Sequence, residues 1–208
     1  MHIISHRGFW LEPAEKNTVP AFERSFRLGF GTETDIRDHA GELVISHDMP
    51  TGEEPTLAAV LDMARQARCA GPLALNIKAD GLQAALAEVM AGYPELDYFV
   101  FDMSLPDTLG YARQGLPFYL RQSEYEQAVP EIGNCKGIWL DAFHACWYDA
   151  RHLGALLERY DVCLVSAELH RRPHLPHWEW LRTTGLTRHP RLCICTDHPE
   201  AAREFFHG

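Results

Sequence analysis

The chain has 208 residues, of which 46% are hydrophobic and 23% are charged, so it can bury the core of one domain and does not have the composition of a disordered chain. Its 19 basic and 29 acidic residues give a formal net charge of −10. Because no run of basic residues offsets this charge, nucleic acid and anionic membrane surfaces are poor partners for the chain. A small anionic substrate is still allowed, since clustered carboxylates attract divalent cations.

Short apolar runs and helical patterns alternate along the chain. The apolar runs predict eight strands, at residues 2–6, 31–36, 72–77, 97–102, 117–121, 137–141, 162–166 and 191–196. Helical patterns follow them at residues 19–28, 57–67, 82–90, 106–114, 125–131, 151–160, 178–184 and 199–206. Asn17 and Thr18 are candidate caps of the first helix, and a hairpin is predicted at residues 41–46.

Eight strand–helix pairs with nearly continuous apolar strands predict a parallel sheet that is covered by helices. Eight such pairs close into a single compact α/β barrel of the TIM type, a (βα)8 barrel, which we assign to residues 1–208 as one domain. The alternative is a doubly wound open sheet. We favour it less because no Gly-rich GxGxxG turn follows the first strand.

The six cysteines show no CxxC spacing and are predicted to be reduced, buried thiols. The chain begins Met-His-Ile-Ile-Ser-His, without a basic and apolar leader, and no apolar run approaches the length of a membrane span. We therefore expect a cytoplasmic protein without stable membrane insertion. The sequence leaves its oligomeric state open.

Polar side chains gather at the predicted C-terminal ends of the strands, where barrels of this type carry their chemistry. They are His6, Arg7, Glu33, Asp35, Asn76, Lys78, Asp102, Arg121, Asp141, Ser166, Glu168 and Asp197. Packing alone does not explain such a concentration, so we predict that the functional site lies at this end of the barrel.

Glu33 and Asp35 are two residues apart on a predicted strand and therefore project to the same side. Two like charges side by side need a cation, and a site with oxygen ligands favours Mg²⁺ or Ca²⁺ over Zn²⁺. The alternative is a solvated strand end whose charges pair with Arg37. Taken alone, this segment is compatible with both interpretations.

His6 and His47 fall near this acidic pair, at the ends of a predicted strand and of the predicted hairpin. Histidine titrates near neutral pH, so two histidines on opposite sides of a substrate can divide general acid and general base work. Arg7 and Lys78 add positive charge that suits a phosphate. The alternative for each cation is a salt bridge to the acidic pair.

The loop of residues 170–177 contains His170, His174 and His177 and is either a substrate lid or a surface loop; we favour a surface loop. Other residues that follow predicted strands are candidates for shaping a substrate pocket: Phe9, Trp10, Arg121, Trp147 and Glu168. Aromatic residues at such positions are as often part of the core or the rim.

Four segments resemble, in this order, the glycerophosphodiester phosphodiesterase family: Ile4-Ser5-His6-Arg7-Gly8, Glu15-Lys16-Asn17-Thr18, Glu33-Thr34-Asp35 and Ser46-His47-Asp48. Weaker similarity continues at residues 55–57, 76–78 and 196–200, so the resemblance spans most of the chain but is dense only in its first quarter. It implies a (βα)8 barrel, a divalent metal ion and hydrolysis of a small phosphodiester such as a glycerophosphodiester. It also implies roles: His6 and His47 as the acid and base, Glu33 and Asp35 as metal ligands, and Arg7 and Lys78 as phosphate ligands.

One position departs from the family pattern, because Asn76 stands where the family usually has an acidic metal ligand two residues before the lysine. An amide oxygen can coordinate a hard cation but brings no charge, so the metal affinity should fall. Asp102, on the neighbouring predicted strand, is a candidate for the missing carboxylate.

We therefore interpret the chain as an outlying member of the family, and two alternatives stay open. One is a phosphodiester lyase that stops at a cyclic phosphate. The other is a non-catalytic barrel that binds a phosphorylated ligand, against which the presence of both His6 and His47 argues.

Overall fold

The computed structural model describes residues 1–208 and folds them around one closed sheet. Its strands are β1 (His2–His6), β2 (Gly31–His39), β3 (Glu42–Ile45), β4 (Leu73–Ile77), β5 (Tyr98–Phe101), β6 (Phe118–Gln122), β7 (Cys135–Leu140), β8 (Asp161–Val165) and β9 (Leu192–Thr196). Eight strands are parallel neighbours in the order β1-β9-β8-β7-β6-β5-β4-β2, and β1 also pairs with β2, which closes the barrel. The predicted (βα)8 barrel is confirmed, and the open-sheet alternative is wrong.

The ninth strand, β3, lies outside the barrel as the antiparallel partner of β2. The turn between them, Ala40-Gly41, has φ angles of 49° and 88°, the left-handed conformation that two-residue hairpin turns require. The returning chain donates the Ser46 N–H to the Asp35 carbonyl at 3.0 Å. The hairpin therefore brings His47 back to the level of the acidic pair.

Seven helices pack around the barrel: α1 (Val19–Arg27), α2 (Leu57–Gln66), α3 (Gln83–Ala91), α4 (Leu105–Arg113), α5 (Ala150–Arg159), α6 (Leu175–Thr183) and α7 (Pro199–His207). No helix has both the length and the apolar composition to cross a membrane. The helix predicted at residues 125–131 is wrong, because the chain there is irregular and Ser123 and Glu126 exchange backbone hydrogen bonds. Pro130 accounts for this, since it lacks an N–H and turns the residue before it away from helical geometry.

Two apolar layers surround the sheet. The helices bury side chains such as Phe22, Leu57 and Trp178 against its outer face. Ten buried residues fill the interior: Ile4, Ala74, Phe99, Phe101, Tyr119, Trp139, Cys163, Val165, Cys193 and Cys195. We call this interior group the barrel plug. Within it Phe99 stacks on Tyr119 and Phe101 stacks on Trp139, with ring centroids 3.6 and 3.9 Å apart. None of the six cysteines forms a disulfide.

Gly137 in β7 leaves room for the Tyr119 ring, because a Cβ at this position would lie 2.5 Å from Tyr119 Cζ. We expect Gly137→Ala to lower the free energy of unfolding by about 1–3 kcal/mol, the usual cost of overpacking, in urea denaturation. The control is Gly154→Ala in α5, where a Cβ meets nothing within 4 Å and alanine should stabilise the helix by roughly 0.5–1 kcal/mol. Equal stabilities of the two variants would contradict this packing.

Candidate active site

A cavity of about 540 Å³ opens at the C-terminal ends of the barrel strands. Two aromatic residues of the barrel plug, Phe101 and Trp139, reach this cavity, and most of its other lining is polar. Eight of the nine predicted site residues line it: His6, Arg7, Glu33, His47, Asn76, Lys78, Asp102 and Arg121. The ninth, Asp35, is fully buried.

His6 ends β1, and its ring is held by a carboxylate from the neighbouring strand β9. The parallel pairing of Ser5 with Thr196 sets the next residues, His6 and Asp197, side by side. His6 Nδ1 lies 2.7 Å from Asp197 Oδ1. Burial raises the pKa of Asp197, but the hydrogen bond and charge of His6, together with the charges of Lys16 and His198, place the pKa below its usual value. The ionised carboxylate accepts from Nδ1–H, which leaves His6 Nε2 as the free proton acceptor.

Asp35 lies between two cations. Its carboxylate oxygens are 2.9 Å from Arg7 Nε and 3.4 Å from Lys78 Nζ. Asn17 donates its Nδ2–H to Asp35 at 2.8 Å and accepts the hydroxyl of Thr34 at 2.9 Å. The salt-bridge alternative for Arg7 and Lys78 is therefore what the structure shows.

The sequence predicts Asn17 as a candidate cap of the first helix, but in the structure its side chain holds Asp35. Asn17 has φ 60°, the left-handed region that asparagine tolerates better than most residues. Neither Asn17 nor Thr18 caps α1 through its side chain, although Thr18 occupies the cap position. The signal that could have identified Asn17 is its place inside the Glu15–Thr18 segment of the family resemblance.

Glu33, with 1% of its surface exposed, has weaker partners. Its carboxylate lies 3.9 Å from His6 Nε2 and accepts the backbone N–H of Arg7 at 3.1 Å. Asn76 Nδ2 donates to it at 3.3 Å. Burial first, and then the charge of Asp35, raise the pKa of Glu33. Of the two adjacent carboxylates, Glu33 is thus the one that lacks a strong cationic partner.

The predicted metal ligands fit a hard cation only in part. Asn76 Oδ1 is buried without a hydrogen-bond partner, next to the Glu33 carboxylate, so these two residues suit a cation. Asp35 is already paired, and Asp102 lies 2.6 Å from Arg121 Nη1. No group of three or more His, Cys, Asp or Glu side chains is arranged to hold a metal ion. The Mg²⁺ or Ca²⁺ site therefore stays a prediction.

His47 is the more exposed of the two predicted acid–base histidines. Its side chain is 47% exposed, and its Nδ1 lies 2.9 Å from the carboxylate of Asp48, which is 93% exposed. Arg37 Nε donates to the His47 carbonyl at 3.2 Å. Because Arg37 holds this segment and the acidic pair is buried, the interpretation of a solvated strand end paired with Arg37 is wrong.

The β6–β8 wall of the cavity contains residues that sequence reasoning missed or misplaced. His170 lines the cavity, so the surface-loop interpretation is wrong for it, and its Nε2 lies 2.5 Å from Asp141 Oδ1. Phe143 and the predicted pocket residue Glu168 also line this wall, and Lys16 lines the cavity from the segment after β1. The other pocket candidates, Phe9, Trp10 and Trp147, do not. No sequence signal joins Asp141 to His170, because only the barrel brings their strands together.

Solved structures show the same architecture. The chain is similar to a phosphodiesterase from Oleispira antarctica in complex with the product sn-glycerol-3-phosphate, with 17% identity and a TM-score of 0.71 over 100% of this chain and 97% of that one. It is also similar to a glycerophosphodiester phosphodiesterase from Agrobacterium tumefaciens, with 17% identity and a TM-score of 0.70 over 100% of both chains. A dihydropteroate synthase from Xanthomonas albilineans is less similar, with 13% identity and a TM-score of 0.57 over 99% of this chain and 90% of that one.

No protein-family model and no curated protein sequence matches the chain. At these identities the comparisons confirm the barrel and its resemblance to glycerophosphodiester phosphodiesterase structures.

The unequal partners of the two buried carboxylates predict opposite effects on stability. We expect Asp35→Asn to lower the free energy of unfolding at pH 7.5 by about 3–5 kcal/mol, because it leaves Arg7 and Lys78 without their buried partner. We expect Glu33→Gln to raise it, because a neutral amide avoids the burial of a weakly paired charge. Urea denaturation measures both.

The effect of Glu33→Gln should depend on pH. A folded-state pKa above the ordinary 4.5 means that ionised Glu33 opposes folding above that folded-state pKa, and that this penalty vanishes below pH 4.5. The advantage of Glu33→Gln over the unmodified protein should therefore shrink as the pH falls towards 4.5. Two results would contradict the partners assigned to Glu33 and Asp35. One is a stability advantage of Glu33→Gln that grows as the pH falls, and the other is an equal loss of stability in Glu33→Gln and Asp35→Asn.

Proposed function

We propose that the chain hydrolyses a small phosphodiester such as a glycerophosphodiester, with His6 and His47 as general acid and base. The observation that carries this proposal is the His6–Asp197 pair, with 2.7 Å between Nδ1 and Oδ1, in a cavity that Arg7 and Lys78 also line. A histidine oriented by an ionised carboxylate is suited to proton transfer at its other nitrogen. The similarity to two phosphodiesterase structures, one of them with sn-glycerol-3-phosphate, supports the substrate class.

In the proposed first step, His6 Nε2 removes the proton from a substrate hydroxyl next to the phosphate. The resulting oxygen attacks phosphorus, and the bond from phosphorus to the other alcohol breaks. His47 gives a proton to the departing alcohol. The product of this step is a cyclic phosphate, which water then opens to a phosphomonoester.

Arg7 and Lys78 stabilise the negative charge on the phosphoryl oxygens during this step. Their side chains are 23% and 19% exposed, so each is held by Asp35 yet still open to the cavity. Because these cations are already in place, little free energy is needed to reorganise them during the reaction. Such electrostatic stabilisation is commonly the largest contribution to catalysis. A divalent cation bound at Glu33 and Asn76 would add Lewis-acid stabilisation of the same oxygens.

A panel of glycerophosphodiesters, sugar phosphodiesters and lysophospholipids, assayed in turn with Mg²⁺, Ca²⁺ and Mn²⁺, tests the proposed function. Phosphorus NMR should show conversion of a glycerophosphodiester to a phosphomonoester. A lack of turnover across the panel would contradict the proposal.

Removal of either acid–base histidine should abolish most of the turnover. We expect His6→Ala and His47→Ala each to lower kcat by about two or more powers of ten, the usual size of a general acid–base contribution, with unchanged circular dichroism. The control is His2→Ala, at the opposite end of β1, where the side chain is exposed and away from the cavity. Near-normal turnover in either test variant would show that its histidine does not have the proposed role.

Addition of a carboxylate at residue 76 should tighten metal binding. We expect Asn76→Asp to lower the Kd for Mg²⁺ or Ca²⁺ by roughly tenfold or more in isothermal titration calorimetry, since ligand charge sets affinity for hard cations. Asn134→Asp adds the same charge at an exposed position outside the cavity and is the control. An unchanged Kd would exclude residue 76 from the coordination sphere. Activity that survives exhaustive EDTA treatment would show that the reaction does not need a metal ion.

A further inference from the structure

His170 is a second histidine that a buried carboxylate holds at the cavity. It ends a short 3-10 helix, Ala167–His170, directly after β8. Its Nε2 lies 2.5 Å from Oδ1 of Asp141, which is 6% exposed and also accepts the Ala142 N–H at 2.8 Å. Because a carboxylate only accepts, the ring proton sits on Nε2. Nδ1 forms no hydrogen bond within the protein and is left as the proton acceptor.

The surroundings fix the position of this ring. The guanidinium of Arg172 donates to the Ala142 carbonyl, which ties the loop after β8 to the end of β7 a second time. The Phe143 ring packs against the imidazole with centroids 4.6 Å apart. Arg171 takes φ 58°, and its N–H returns to the Glu168 carbonyl at 2.9 Å. These contacts hold the imidazole at the cavity wall, in contrast to the half-exposed ring of His47.

Three histidines thus line one cavity. The strand order places His6 on β1, His47 beyond β2 on the hairpin side, and His170 two strands away from β1 on the other side, after β8. The first step of the proposed reaction uses one base and one acid, which His6 and His47 supply. The second step needs a base for water. His47 has lost its proton by then but is half-exposed, whereas Asp141 and Phe143 fix the His170 ring at the cavity wall.

We propose that His170 is the general base that activates water in the second step, and that Asp141 is its positioning residue. This inference rests on the proposed function. His170 Nδ1 takes a proton from water, and the water oxygen bonds to phosphorus. The bond from phosphorus to the ring oxygen that attacked in the first step breaks. That oxygen takes the proton that His6 gained in the first step. His170 then releases its proton to solvent, and His47 takes back from solvent the proton that it gave to the departing alcohol. The cyclic phosphate becomes a phosphomonoester. His170 therefore determines whether the reaction ends in hydrolysis or stops at the cyclic phosphate, as it does in a lyase.

The test uses His170→Gln and a glycerol p-nitrophenyl phosphodiester. The glutamine amide can still donate a hydrogen bond to Asp141, so the loop after β8 stays attached to the end of β7. The variant has no base at residue 170. Nitrophenolate leaves without protonation, so its absorbance reports the first step alone, and phosphorus NMR reports the cyclic phosphate and the monoester. We expect the ratio of cyclic phosphate to monoester to rise about a hundredfold or more relative to the unmodified protein, the usual size of a lost general base.

Two further variants complete the experiment. Asp141→Asn should raise the same ratio, because it removes the carboxylate that fixes the His170 tautomer. His144→Gln alters an exposed histidine near the mouth that does not line the cavity, and it should leave the ratio unchanged.

Four results would overturn the inference. An unchanged ratio in His170→Gln, or parallel loss of nitrophenolate release without cyclic phosphate, would show that His170 has only a structural role. If the unmodified protein releases cyclic phosphate as its end product, the second step does not occur and the inference about His170 is wrong. The proposed cleavage of the phosphodiester would still be supported. No nitrophenolate from the unmodified protein would overturn the proposed function and the inference with it.

Discussion

A buried negative charge on Asp35 is the constraint on which the rest of the site depends. An uncompensated charge in this position would cost several kcal/mol, on the order of 3–5 when one partner of a buried pair is lost. Arg7 and Lys78 supply the compensation, at 2.9 and 3.4 Å. Arg7 adopts φ 58° to do so, a left-handed conformation that costs a non-glycine residue on the order of 1 kcal/mol. At Gly8, which follows, a Cβ would lie 2.8 Å from Ala21 Cβ, so the turn after β1 needs a glycine.

This arrangement has a consequence for the proposed chemistry. The ion pairs that stabilise the fold also hold two cations, Arg7 and Lys78, at the cavity before any substrate binds. The cavity can therefore attract an anionic phosphate although the chain has a net charge of −10. Glu33, next to Asp35, has weaker partners and a raised pKa. Its carboxylate lies beside the unpartnered oxygen of Asn76, so a further positive charge would be stabilising there.

The barrel could be predicted from the sequence because each strand is a short apolar run and each helix has its own periodicity. The helix predicted at residues 125–131 failed because a periodic pattern does not register how Pro130 interrupts it. Eight of the nine predicted site residues line one cavity, because the strand and hairpin ends that the sequence predicts meet at the same end of the barrel. The partners of Asp35 could not be decided in advance, because spacing along one strand does not show which side chains of other strands and loops contact it. The Asp141–His170 contact joins residues 29 positions apart, one directly after β7 and the other in the 3-10 helix after β8, so only the closed sheet reveals it.

The claim that unites these features is that the cavity cleaves a phosphorus–oxygen bond with water as the final nucleophile. Hydrolysis of a glycerophosphodiester in ¹⁸O-labelled water tests it directly, because phosphorus NMR and mass spectrometry locate the label. We expect one ¹⁸O atom in the phosphate group of the monoester and none in the released alcohol. Label in the alcohol, or no turnover at all, would contradict the proposed chemistry.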